Sequence, residues 1–149
     1  MWRKCVADVD GLPVLAWSTD LKESASIYDD PAGSLQLLPS YNFCDENEPL
    51  WRNTVDFLRS PAYRLWLGDR PFPGLAAREA PTVAQSAALC SDLIGTRSAE
   101  TLELIRKLPL AGGLIAGAYD PSTGESVAGH YDAALSGFLA WSLAYSMKA

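Results

Sequence analysis

Within twelve residues, Tyr28-Asp29-Asp30-Pro31-Ala32-Gly33-Ser34-Leu35-Gln36-Leu37-Leu38-Pro39 sets two adjacent carboxylates before a Pro/Gly break and an apolar run that opens a helix. An ionised carboxylate offers several acceptor positions, so Asp29 and Asp30 can take hydrogen bonds from the hydroxyls of a ligand. An Asp pair just before a helix start is also favoured by the helix dipole, so capping and loop fixing is the alternative role. Asp120 and Glu125 are further loop carboxylates, which leaves paired acid and base chemistry as the enzymatic option. Inversion at a glycosidic carbon needs the two groups roughly 6.5–9.5 Å apart on opposite sides of the scissile bond. Asp29 and Asp30, adjacent on one loop, are poorly placed to act in that way.

Other chemistries lack their residues. His130 is the only histidine, and with no matched nucleophile it reads as a structural or helix-start residue. No P-loop, GxGxxG, HExxH or GxSxG pattern occurs. Cys5, Cys44 and Cys90 are odd in number and widely spaced, which indicates neither a zinc site nor a disulfide framework; buried free thiols are expected, with no metal and no cofactor. A net charge of −6 without a basic stripe makes nucleic acid an unfavourable partner. No apolar run reaches the roughly 18–20 residues of a membrane span, and Met1-Trp2-Arg3-Lys4 followed by Asp8 and Asp10 does not read as a signal peptide. A cytoplasmic location is the corresponding expectation. The 149 residues fit one domain, 1–149, and five Trp and six Tyr in a 48% hydrophobic chain argue for a packed core.

The elements that must position these residues follow from pattern. Asp10-Gly11 between Cys5–Val9 and Val14–Trp17 predicts a small hairpin. Ser34 is the expected N-cap of a short helix stopped or kinked by Pro39. Asp45-Glu46-Asn47-Glu48-Pro49 announces a helix to about Ser60, with Trp51, Val55 and Leu58 on its core face. Residues 61–81 look irregular; their aromatics, Tyr63, Trp66 and Phe72, could stack on sugar faces, though covering the core carries more weight. Pro81-Thr82 is read as opening a helix through Val83, Ala87, Cys90 and Ile94 to Gly95, and Ser98 as capping the next, which ends before Pro109. Two residues between them predict an αα-hairpin. Asp120-Pro121-Ser122-Thr123-Gly124 is a turn between short extended arms. A last helix, about Gly129 to Met147, is apolar nearly all round and should be largely buried or packed on another subunit.

The words Tyr28-Asp29-Asp30, Ser34-Leu35, Leu38-Pro39 and Asn53-Thr54 in order, continuing to Leu58-Arg59-Ser60-Pro61, through Gly112-Gly113-Leu114-Ile115 and into the final helix, resemble the C-terminal half of glycoside hydrolase family 125. The resemblance implies a metal-independent exo-α-mannosidase relative with an all-α fold, part of an (α/α)6 toroid of helical hairpins with short extended segments. It implies an α-mannoside as ligand, with Asp29 and Asp30 contacting sugar or organising the loop, and Trp66 and Tyr119 as further candidates for the site wall. The half that would carry the general acid has no counterpart here, and alignment sets Gly117 where the family has its base Glu. Both catalytic carboxylates are therefore expected to be missing, in a truncated and inactive chain; the alternative is a non-catalytic helical module binding carbohydrate or a protein. An open half-barrel would expose apolar faces, so self-association or a missing N-terminal segment is expected as well.

Overall fold

The computed structural model describes residues 5–20, 24–28, 31–128 and 132–147. Its element order is mixed: β1 (Val6–Val9), β2 (Leu12–Leu15), β3 (Ser18–Thr19), β4 (Ala25–Ser26), a 3-10 helix (Ser34–Tyr41), α1 (Pro49–Leu58), β5 (Ala76–Ala77), β6 (Ala80–Gln85), α2 (Ser86–Thr96), α3 (Ala99–Lys107), β7 (Ala118–Tyr119), β8 (Ser126–Ala128) and α4 (Ala133–Ser146). The all-α expectation is therefore corrected to a mixed α and β fold. Among the described residues the strands form two antiparallel hairpins, β1-β2 and β3-β4, and an antiparallel sheet of order β5-β6-β7-β8.

The first hairpin forms where the sequence places it. Asp10 and Gly11 both have positive φ, 53° and 85°, as a two-residue hairpin turn with right-handed strand twist requires. Pro13 is accommodated within β2, opposite Asp8. Ser34 is the first residue of the 3-10 helix and not its cap; Gly33, at φ 87°, occupies the cap position, and the helix runs through Pro39 instead of stopping there.

In α1, Pro49 presets the backbone of the first turn, and Trp51, Val55 and Leu58 are buried as the periodicity predicts. Two polar ties fix this helix. The Trp51 indole N–H donates to Leu35 O at 3.1 Å, and Thr54 Oγ1 accepts from Leu15 N at 2.7 Å while donating to Leu50 O at 2.8 Å.

Two corrections concern the middle of the chain. Residues 80–85 form strand β6, so α2 starts at Ser86 and not at Pro81. The β-prone pair Thr82-Val83 precedes Ala84 and Gln85; Ala84 pairs with Ala76 on one side and with Tyr119 on the other, and Gln85 with Ala118, so tertiary pairing decides the conformation. The supposedly irregular 61–81 segment also carries order: Trp66 bridges to Leu75, and β5 follows.

Helix α2 is the centre of the molecule. It packs on the 3-10 helix and on α4, and Ala88, Leu89, Cys90, Leu93 and Ile94 are all buried. Two apolar clusters meet at it, one around α1 and the β1-β2 hairpin and the other around α3, β7 and α4. Ser98 caps α3 through Thr101 N, after a link of two residues, Arg97 and Ser98.

Helix α4 is more open than its composition implies, and its expected start at Gly129 lies outside the described residues. Asp132 caps it by accepting from Ala134 N and Leu135 N, and within the helix only Leu139 and Ser142 are fully buried. Trp141 is 40% exposed and Met147, just beyond the helix, 82%. The three cysteines are free, but only Cys90 is buried; Cys5 is exposed and Cys44 half-buried, which corrects the expectation of three buried thiols.

Candidate functional site

The main recess, about 560 Å³, lies between α2, α3 and the 66–75 loop. That volume falls in the range of small-molecule sites. Trp66 and the backbone of Gly68, Pro73 and Gly74 form one wall, while Arg59, Asp92, Glu100 and Glu103 supply charge on the other.

The loop wall is held by close packing. Leu67 N donates to Gly74 O and Ala76 N to Leu65 O, so the chain folds back on itself directly after Trp66. A Cβ built on Gly68 would lie 1.9 Å from Trp66 Nε1; only glycine leaves room for the indole in this orientation. A Cβ on Gly74 would lie 2.5 Å from the Tyr119 hydroxyl. Tyr119 sits behind this wall, 2% exposed, and its O–H donates to Pro73 O at 3.0 Å. Burial, with the charges of Asp92 and Cys90, pushes the Tyr119 phenol well above its ordinary pKa.

The charged wall centres on Asp92, which is 8% exposed. Its Oδ1 accepts from Gln36 Nε2 at 2.8 Å and its Oδ2 from Thr101 Oγ1 at 2.5 Å. Arg59 Nε lies 3.7 Å from Oδ1, and the other end of the guanidinium reaches Glu100 at 3.9 Å. Desolvation raises the Asp92 pKa, and Arg59, Thr101 and Gln36 offset part of that rise. Both carboxylate oxygens are thus engaged by protein donors, and Arg59 stands between a buried and an exposed acid.

Of the residues singled out from sequence, Trp66 lines this recess and Tyr119 braces its loop wall from behind. Asp29, Asp30 and His130 lie outside the described residues. Gly117 sits just before β7, where its carbonyl accepts from Ser86 N at the first turn of α2. Asp120 Oδ1 accepts from Ser122 N and Thr123 N, which makes it the organiser of its own turn, and Glu125 N donates to Thr123 Oγ1. Asp92, Gln36 and Arg59 were missed by the sequence reading; the one available signal was a carboxylate inside the otherwise apolar or small-residue run Ala87–Ile94. Among the described residues, no group of three or more His, Cys, Asp or Glu side chains stands together as a metal site would require, and no helix is long and apolar enough to cross a membrane.

The chain matches no protein-family model and no curated protein. It is similar in fold to a metal-independent α-mannosidase of Streptococcus pneumoniae, solved in a non-productive substrate complex with α-1,6-mannobiose. The TM-score is 0.75 at 16% identity, over 97% of this chain and 36% of that one. A likeness at this identity is one of fold alone. The chain spans little more than a third of its structural neighbour.

Proposed function

We propose that the chain is a glycoside hydrolase-like domain that holds a carbohydrate, an α-mannoside first of all, in the recess beside Trp66 and does not cleave it unaided. The observation that carries this reading is the pairing of an indole wall with the Arg59, Asp92 and Glu100 charges across a recess of disaccharide scale. An aromatic face covers the C–H side of a sugar, and fixed polar groups bind its hydroxyls. The fold likeness to an α-mannosidase is the second support.

Absence of turnover rests on two points. Asp92 is buried and holds Gln36 and Thr101 with its two oxygens, so its carboxylate is committed to bracing α2 against its neighbours. Gly117, at the place the family resemblance assigns to the base, has no titratable side chain.

Titration with α-1,6-mannobiose, followed by tryptophan fluorescence, tests the binding. Saturable binding that is lost in Trp66→Ala and weakened in Gly68→Ala is expected; binding indifferent to both changes, or none, overturns the site. Hydrolysis of an aryl α-mannoside by the pure chain overturns the claim that it does not cleave.

A further inference from the structure

Five of the arginines have evident partners. Arg52 donates to Glu46 O and Asn47 Oδ1, Arg59 faces Asp92 and Glu100, and Arg70, Arg97 and Arg106 pair with Asp69, Glu46 and Glu103. Arg64 and Arg78 differ. Among the described residues neither makes an ion pair or a hydrogen bond, both are exposed, and both converge on one ring. Cζ of Arg64 lies 5.0 Å from the centroid of Tyr28, and Cζ of Arg78 lies 5.3 Å from it.

Tyr28 is itself held in place. It is half-buried, its ring centroid is 6.3 Å from that of Tyr63, and Tyr63 is buried in an edge contact with Phe57 at 5.4 Å. The ring therefore gathers two like charges that would otherwise repel, through attraction between guanidinium and aromatic face. A guanidinium that stacks on a ring keeps its in-plane N–H donors available to an anion. Two guanidinium groups drawn to one ring, with no carboxylate within 4.0 Å of either among the described residues, suit an oxyanion. On a chain of net charge −6 an anion is drawn in only where positive charge is locally concentrated.

We propose that Arg64 and Arg78, gathered by Tyr28, form an oxyanion subsite that takes a carboxylate or phosphate group carried by a sugar. The sugar part of this proposal rests on the carbohydrate reading above; the oxyanion part does not. Arginine recognises both groups through paired N–H donors.

The test follows the arginine Nε–Hε resonances of labelled protein during titration with inorganic phosphate, mannose 6-phosphate, glucuronate and mannose. It uses the wild type and the double variant Arg64→Gln/Arg78→Gln, whose exposed side chains leave the fold intact, as an unchanged melting curve verifies. Phosphate should move the Arg64 and Arg78 resonances. The two acidic sugars should bind about tenfold or more tightly than mannose, with that advantage lost in the double variant. Equal binding of acidic and neutral sugars overturns the subsite and leaves the carbohydrate reading standing. Displacement of both resonances by phosphate, with no sugar bound, supports the oxyanion subsite and overturns its sugar part together with the carbohydrate reading. Resonances unmoved by every anion overturn the proposal.

Discussion

Gln36 Nε2 and Asp92 Oδ1 lie 2.8 Å apart, although 56 residues separate them in the chain. The bond ties the 3-10 helix to α2 inside the protein, and Thr101 extends it to α3. Gln36 Oε1 has no partner among the described residues, so this amide can turn over when Asp92 becomes a donor.

Asp92 should therefore give the protein a distinctive response to acid. Its pKa is raised in the folded state. The folded protein then binds the proton more readily than the unfolded chain, so stability attributable to Asp92 is fully present below the unfolded pKa and is lost as pH rises through the folded one. Melting curves from neutral pH down to about pH 4 should show the wild type gaining relative to Asp92→Asn as pH falls. A constant difference between the two, or one of opposite slope, would contradict the assignment.

Thr54→Val should destabilise by about 1–3 kcal/mol, because it strands the buried Leu15 N–H that Thr54 Oγ1 now accepts. Thr54→Ser keeps the acceptor and should cost clearly less. Denaturant unfolding of the two variants separates the lost hydrogen bond from lost packing.

Gly33 and Gly112 both have positive φ, but their surroundings differ. A Cβ at Gly112 meets nothing within 4 Å, whereas one at Gly33 would lie 2.9 Å from Ala88 Cα on the central helix. Gly112→Ala should cost about 1–2 kcal/mol from backbone strain alone. Gly33→Ala should add about 1–3 kcal/mol of overpacking, measurable in the same unfolding assay.

Thiol labelling should rank the cysteines by exposure and ionisation. Cys5 is exposed and should react first. Burial pushes the Cys90 thiol up to about 11, so it should stay unmodified near neutral pH until the protein unfolds. Cys44, half-buried and with its pKa raised by burial and by Glu48 and Asp45, should react more slowly than Cys5. Mass spectrometry of the labelled peptides reads the order directly.

Local chemistry was legible where it acts over a few residues. The Asp10-Gly11 turn, the Trp51, Val55 and Leu58 stripe, the Ser98 cap and the Asp120–Gly124 turn needed no distant partner to declare themselves. The sheet was not legible, because Ala84 becomes a strand residue by pairing with Ala76 and Tyr119 from elsewhere in the chain. The recess was half legible. Trp66 stood out as an aromatic in a proline-rich loop, but Asp92 gains its meaning only from Gln36, Thr101 and Arg59, which folding brings to it. Helix α4 misled through composition, since an uncharged sequence does not reveal how many of its sides find a neighbour.

The placement of α2 bears on how the molecule comes apart. Ala88 belongs to the cluster shared with α1, whereas Leu89, Cys90 and Leu93, on the other side of the helix, belong to the cluster shared with α3 and α4. Neither cluster can lose this helix and keep its own wall, so heat or denaturant should produce one all-or-none transition across the described core, with no partly melted species in which half the protein survives.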